Sequence, residues 1–286
     1  MTQPPAQPAA PPRFGRADVP EVAALKRLKT ANPELGPAVD LQVDLVGLYR
    51  KVQSRLSTPW LELQQDVVSR KLQDGTPLLE ADTVAFDWGE LRSLVRQIAD
   101  LLKRFDLLEP ADYEALQTMV RAGKPHQPEV TAWFHRRTRP DPVALPDALS
   151  QIMSLANRPF LARAVGVIQQ QVDLANWHRP YCPFCGSDPE LGVLTADGGL
   201  RLLCACCTGT WPFDDVICPH CDSRDTTRRT SLESRDGRYR LVACDVCRRY
   251  LKWYVARGAE RAVMFDVDTI ATLPLDAVAA QRGYSA

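Results

Sequence analysis

Cysteine is absent from most of this 286-residue chain, since all nine cysteines lie between residues 182 and 247. An excess of charge is absent too, because 35 Lys and Arg residues balance 35 Asp and Glu residues. This balance argues against a protein whose overall field attracts nucleic acid or an anionic membrane. No uninterrupted apolar run approaches the roughly 18 to 20 residues of a membrane-spanning helix. We therefore expect a soluble globular protein of one or two domains.

The first 16 residues contain five prolines and no apolar segment of the kind found in a secretory signal peptide. They predict a disordered tail and, by default, a cytoplasmic protein. Disulfides are the alternative use for so many cysteines, but they need an oxidising compartment. The cysteines are therefore interpreted as metal ligands.

Eight of the cysteines form four Cys-x-x-Cys pairs, and two such pairs supply the four thiolates of one tetrahedral metal site. Short predicted hairpins between successive pairs favour sequential pairing, in which each hairpin returns its second pair beside the first. The interleaved pairing stays open, because spacing alone does not fix it. The predicted ligands are Cys182, Cys185, Cys204 and Cys207 for site 1, and Cys218, Cys221, Cys244 and Cys247 for site 2.

A Cys-x-x-Cys turn often needs a left-handed residue near its second cysteine. Gly186, Gly209 and Asp222 suit that role in the first three turns. The fourth turn continues into Arg248 and is predicted to be the weakest. The ninth cysteine, Cys206, is interpreted as a small apolar residue, with a reactive thiol as the alternative. We expect the ring of His220 to point to solvent, with replacement of a thiolate ligand as the alternative.

Upstream of the cysteines, apolar residues recur at helical spacing and predict a helical domain. Its clearest helix follows Asp87, which is placed to cap it, and carries Leu91, Leu94, Val95 and Ile98 on one face. Residues 124–146 predict an extended surface loop with a solvated basic cluster at 135–139. The last helix is expected to begin at Asp147, to be interrupted at Pro159 and to end near residue 176.

Beyond residue 180 the pattern predicts short strands, with hairpin turns at 196–199 and 234–237. A further strand is expected around 262–265, followed by a short helix near 268–280. The fold class is therefore α+β, with an all-α N-terminal domain followed by two small tetracysteine metal modules. The predicted bounds are 1–16 for the tail, 17–178 for the helical domain, 179–215 for the first module and 216–286 for the second module with the C-terminal segment.

The cysteine turns and their flanks resemble the FdhE family of formate dehydrogenase accessory proteins. The similarity lies in residues 182–189, 198–204, 218–221 and 243–252, in Trp211, in the tail 266–276, and more weakly in 32–35 and 156–161. It covers about residues 20–276 and departs from the family pattern at Cys206 and Pro274. The resemblance implies rubredoxin-like or zinc-ribbon-like modules that hold two iron ions, with zinc as the alternative.

The resemblance also implies a function. It predicts a cytoplasmic maturation factor, not an enzyme, that contacts the catalytic subunit of a respiratory formate dehydrogenase before export and assists its assembly. Two alternatives stay open at this point: a zinc-ribbon protein that binds nucleic acid, and a rubredoxin-like protein that transfers one electron. No membrane insertion is expected, and no catalytic residue is predicted.

Overall fold

A computed structural model describes residues 19–56, 64–125, 127–135 and 147–286. The predicted tail and the basic residues 136–139 lie outside this part of the chain. The N-terminal region is helical. Its elements are α1 (Pro20–Ala31), a 3-10 turn (Pro33–Leu35), α2 (Gly36–Gln53), α3 (Gln65–Asp74), α4 (Trp88–Arg104), α5 (Pro110–Arg121), α6 (Gln127–His135) and α7 (Asp147–Ile168).

Helix α4 lies at the centre of this region and contacts α2, α5 and α7. The predicted cap is present, because a side-chain oxygen of Asp87 accepts a hydrogen bond of 2.9 Å from the backbone N–H of Glu90. The predicted apolar face is fully buried, with Leu91, Leu94, Val95 and Ile98 all at 0% exposure. The strength of this pattern explains why the sequence predicts α4 well.

Two predictions about the helical region are wrong. Residues 127–135 form α6 instead of an extended loop, because Val130, Trp133 and Phe134 lie on one face and are buried against α7 and its surroundings. Helix α7 runs through Pro159 without interruption and ends at Ile168, well before residue 176. Pro159 removes one backbone hydrogen bond, and the burial of Phe160 and Leu161 offsets that loss.

The six strands of the described residues form one sheet with the order β3-β2-β1-β6-β5-β4. The strands are β1 (Pro189–Leu194), β2 (Leu200–Cys204), β3 (Thr210–Phe213), β4 (Arg229–Glu233), β5 (Tyr239–Cys244) and β6 (Tyr250–Val255). Each group of three consecutive strands is antiparallel, and the two groups join through a parallel β1–β6 pair that aligns Leu191 with Lys252. The α+β class with two tetracysteine modules is confirmed, and the modules share a continuous sheet.

The strand expected around 262–265 is absent from the described structure. That position leads into α8 (Phe265–Ala271), and α9 (Leu273–Gln281) follows. Buried polar contacts fix both helices to the sheet. Asp268, at 0% exposure, accepts hydrogen bonds from Arg261 and from the Tyr239 hydroxyl at 2.6 Å each, and Lys252 donates to Asp276 at 2.8 Å.

The main hydrophobic core runs from the helices into the first module. It contains helix residues such as Ile152 and Val165 together with Phe184 and the four predicted site 1 cysteines. The predicted domain bounds stay a prediction. Within the described ranges, no helix combines the length and the apolar character needed to cross a bilayer.

Candidate metal centres

Site 1 lies where the loop before β1 meets the end of β2. Cys182 and Cys185 precede β1, Cys204 is the last residue of β2, and Cys207 lies in the turn that leads to β3. The sulfur atoms of Cys182 and Cys207 are 3.5 Å apart, as are those of Cys185 and Cys204. All four sulfurs lie within 4.8 Å of one another. The structure therefore brings together the four cysteines that sequential pairing predicts.

Site 2 repeats this arrangement around the second hairpin. Cys218 and Cys221 precede β4, Cys244 ends β5, and Cys247 lies in the turn before β6. The sulfur atoms of Cys218 and Cys247 are 3.8 Å apart, and those of Cys221 and Cys244 are also 3.8 Å apart. In both sites, the hairpin carries the second cysteine turn back to the first.

All four cysteine turns place a left-handed residue directly after their second cysteine. These residues are Gly186, Thr208, Asp222 and Arg248, with φ values of 74°, 58°, 57° and 60°. The prediction of Gly209 as the left-handed residue of the second turn is wrong, since Thr208 has the positive φ. The fourth turn follows the same geometry, and the Arg248 guanidinium is held over the Tyr284 ring at 4.0 Å and donates to the carbonyl of Arg282 at 2.6 Å.

Gly209 has a different structural role. A Cβ atom built on it would lie 2.6 Å from the ring of Phe184 and 2.9 Å from a methyl group of Val165. Its carbonyl accepts a hydrogen bond of 2.9 Å from the N–H of Cys204. The absence of a side chain at residue 209 therefore lets the second cysteine turn pack directly against α7.

The donor set fits a tetrahedral metal ion. Metal–sulfur bonds of about 2.3 Å imply sulfur–sulfur edges of about 3.8 Å. The observed separations of 3.5 Å and 3.8 Å are close to that value. All nine cysteines are free in the structure. Within the described residues, these two clusters are the groups of His, Cys, Asp and Glu with metal-binding geometry.

Backbone N–H groups point at the site 1 sulfurs, as is usual around a bound thiolate. Phe184 N–H donates to the sulfur of Cys182 at 3.4 Å, and the N–H groups of Cys206 and Cys207 donate to that of Cys204 at 3.3 Å and 3.4 Å. Burial raises the pKa values of the Cys182 and Cys207 thiols well above the usual value for cysteine. An ion that binds here must therefore displace protons, so its affinity should rise with pH.

Three comparisons with known proteins bear on this architecture. A protein FdhE homolog from Pectobacterium carotovorum is 29% identical over 207 residues, which cover 68% of this chain and 61% of that protein. Protein FdhE from Escherichia coli O127:H6 is 33% identical over 110 residues, which cover 37% of this chain and 35% of that protein. The crystal structure of the FdhE protein from Pseudomonas aeruginosa matches with a TM-score of 0.63 and 20% identity, over 93% of this chain and 91% of that one. No family model matches the chain.

These matches support the resemblance of this chain to the FdhE family. The sequence alignments span 61% or less of the curated relatives named above. At 20% identity the structural match shows a shared fold. The resemblance to the FdhE family that the cysteine turns and their flanks predict is thus confirmed.

The segment 156–161, which resembles the FdhE pattern only weakly in sequence, has a clear place in the structure. It lies in α7, and its Arg158 donates a hydrogen bond of 3.0 Å to the carbonyl of Ala205, inside the second turn of site 1. The guanidinium also lies 4.5 Å from the Phe265 ring and 4.0 Å from a carboxylate oxygen of Asp266. Arg158 therefore links α7, a cysteine turn and α8. The sequence gives no signal for this link beyond the family pattern.

The remaining residues of interest have defined contacts. Cys206 is buried, and its sulfur lies 3.6 Å from the carbonyl of Ser154, consistent with the interpretation as a small apolar residue. The prediction for His220 is wrong, since its half-buried ring bonds to the carbonyl of Tyr250 at 3.1 Å and burial lowers its pKa.

Arg229 holds the first cysteine turn of site 2. Its guanidinium donates to the carbonyls of Asp215, Val216 and Ser223 at 2.5, 2.6 and 3.2 Å. These carbonyls flank the first cysteine turn of site 2. Arg229, the first residue of β4, therefore supports the turn. A charged residue inside a strand next to a cysteine turn is a weak signal for such a role.

Proposed function

We propose that this protein is a cytoplasmic accessory factor that binds the catalytic subunit of a respiratory formate dehydrogenase and assists its assembly or activation. The observation that carries the proposal is the joint presence of FdhE-like sequence, an FdhE-like fold and two tetracysteine clusters in one chain. In this proposal the helical region contacts the client subunit, and the protein is not itself an enzyme.

We further propose that each cluster holds one iron ion through its four cysteine thiolates, with the eight cysteines named above as the ligands. A ferrous or ferric ion with four thiolates can change its oxidation state, whereas zinc cannot. Metal analysis and an absorption spectrum on protein purified without oxygen separate ferrous, ferric and zinc occupancy. Two equivalents of zinc with no iron would contradict the iron assignment.

The ligand assignment has a separate test. Replacing Cys182 and Cys185 with Ser is expected to remove one of two metal equivalents and to unfold the first module, because small metal modules depend on the ion for folding free energy. The matched variant replaces Cys218 and Cys221. Metal content that stays at two equivalents in either variant would show that the assignment is wrong.

The nucleic-acid alternative receives no support from the hairpin arginines. Residues 222–252 carry nine basic and five acidic side chains, but several arginines are used within the chain. Arg229 donates hydrogen bonds to backbone carbonyls beside site 2. Arg240 forms an ion pair with Glu233 at 2.5 Å, and Arg224 lies 3.5 Å from Asp214. Such internal pairing leaves fewer positive charges for phosphate contacts.

The proposed function is tested by binding between purified components. The full chain and the catalytic subunit of a formate dehydrogenase are expected to form a complex that survives size-exclusion chromatography under anaerobic conditions. A subunit of an unrelated oxidoreductase is the control. Failure to bind the catalytic subunit, together with salt-sensitive binding to DNA or RNA, would overturn the proposal in favour of the nucleic-acid alternative.

A further inference from the structure

The two tetracysteine sites have the same ligand set and very different access to solvent. In site 1 the exposure of Cys182, Cys204 and Cys207 is 0%, and that of Cys185 is 3%. In site 2 only Cys218 and Cys244 are buried, whereas Cys221 is exposed and Cys247 is partly exposed. Since the ligands are identical, any difference in behaviour must come from these surroundings.

Site 1 is enclosed by the helical region. Its first turn is tied to residues 78 and 79, whose N–H groups donate to the carbonyls of Pro183 and Phe184 at 2.8 Å each. Its second turn is held by Arg158, and the side chains of Phe184 and of Val165 in α7 leave no room for a Cβ at residue 209. An incoming ligand can reach these sulfurs only after part of the main core has opened.

Site 2 lies in the half of the sheet formed by β4, β5 and β6, beside two exposed apolar side chains. Val216, at 39% exposure, precedes the first turn, and Val246, at 48% exposure, lies inside the second turn. Arg229 and the ring of His220 hold the first turn through hydrogen bonds to backbone carbonyls, and the sulfur of Cys221 in this turn is only partly buried. A small ligand can therefore reach this sulfur, and an ion bound to it, without unfolding the chain.

From this asymmetry we propose that site 2 is an exchange site, at which the bound ion accepts a thiolate from outside the chain, while site 1 retains its ion. The step is a ligand substitution. The incoming thiolate forms a bond to the ion as the bond from the ion to the Cys221 sulfur breaks, and the released Cys221 thiolate takes a proton from water. No electron is transferred. The proposal rests on the metal-binding part of the proposed function.

The test uses the full chain loaded with two equivalents of zinc and a colorimetric zinc chelator. We expect one equivalent to leave at least about tenfold faster than the other, because release from site 1 requires local unfolding of the core. Added glutathione should accelerate the fast phase alone. A second arm replaces glutathione with a metal-free tetracysteine protein, which shows whether a protein thiolate can serve as the incoming ligand.

Variants assign the phases. Cys221→Ser removes one of the four site 2 thiolates, so only the slow phase should be observed, and its rate should be unchanged. The matched variant, Cys185→Ser, replaces the cysteine at the corresponding position of site 1 and should remove the slow phase. Because Cys185→Ser can unfold the first module, Val246→Trp provides an independent check, since it shields site 2 without removing a ligand and should slow the fast phase.

The outcomes are distinct. Release of both equivalents at one rate, or loss of the slow phase in Cys221→Ser, would overturn the proposal. Both results are compared with a wild-type protein that binds two equivalents, so either would leave the metal-binding assignment intact. Fewer than two equivalents in the starting protein would instead contradict the metal sites themselves. Binding of the formate dehydrogenase subunit is measured separately and does not enter this test.

Discussion

Replacing Gly209 with Ala tests whether the second cysteine turn packs against α7 as closely as the structure describes. The new Cβ would lie 2.6 Å from the Phe184 ring and 2.9 Å from Val165. Both distances are shorter than any normal carbon–carbon contact, so the turn or its neighbours must move. Gly209 has no positive φ, unlike Thr208 beside it, so Ala is compatible with its backbone and the cost comes from crowding.

Overpacking of this kind costs about 1 to 3 kcal/mol. The carbonyl of Gly209 also accepts a hydrogen bond from the N–H of the ligand Cys204, so displacement should disturb the site. We expect Gly209→Ala to lower the denaturant midpoint of the metal-loaded protein and to speed the loss of the site 1 ion to a chelator. Both effects are measured in one preparation, by equilibrium unfolding and by metal release.

The matched control is Gly166→Ala in α7, where a Cβ would meet nothing within 4 Å. This substitution at an exposed helical position should instead raise the free energy of unfolding by about 0.5 to 1 kcal/mol, since Ala is a better helix former than Gly. In addition, Val165→Ala should partly rescue Gly209→Ala by removing one of the crowding methyl groups, so the double variant should be non-additive. Equal midpoints for Gly209→Ala and the wild-type protein would refute the close packing.

Three further predictions concern stability at residues that are not metal ligands, each measured by chemical unfolding of the loaded protein. Tyr49→Phe should stabilise by about 1 kcal/mol, because the buried hydroxyl has no hydrogen-bond partner within the described structure. Tyr239→Phe is its control and should destabilise, because that hydroxyl donates to a buried carboxylate at 2.6 Å. Asp87→Ala should lower the free energy of unfolding by about 1 kcal/mol, because it removes the cap of α4. Asp87→Asn should keep most of this stability, because Asn is also a good cap. Thr208→Gly should stabilise by about 1 kcal/mol, because a β-branched residue at a φ of 58° is strained, and a loss of stability would contradict this.

The sequence predicts those parts of the fold that depend on local patterns. The apolar face of α4 and the cap at Asp87 are local, and so are the hairpins that bring Cys204 to Cys185 and Cys244 to Cys221. Each depends on residues close together in the chain or on a single turn. For this reason the grouping of the cysteines into two clusters is predictable without any knowledge of the tertiary structure.

The errors arise where tertiary packing overrides a local signal. The prolines and basic residues around α6 predict a loop, but burial of Trp133 and Phe134 stabilises a helix. Pro159 is a strong helix breaker in isolation, yet the core around Phe160 keeps α7 continuous. In the same way, Arg248 is a poor residue for a left-handed turn, and its contacts with Arg282 and Tyr284 hold it there.

The parallel pairing of β1 with β6 has a consequence for biosynthesis. On a translating ribosome, Leu191 emerges long before its partner Lys252, so β1 presents an unpaired edge while β2 to β5 are being made. An open edge of this kind can pair with a second nascent chain or with a misplaced strand of the same chain. Truncation before residue 250 is therefore expected to yield a polypeptide that self-associates, even when the first four cysteines of the metal pattern are intact.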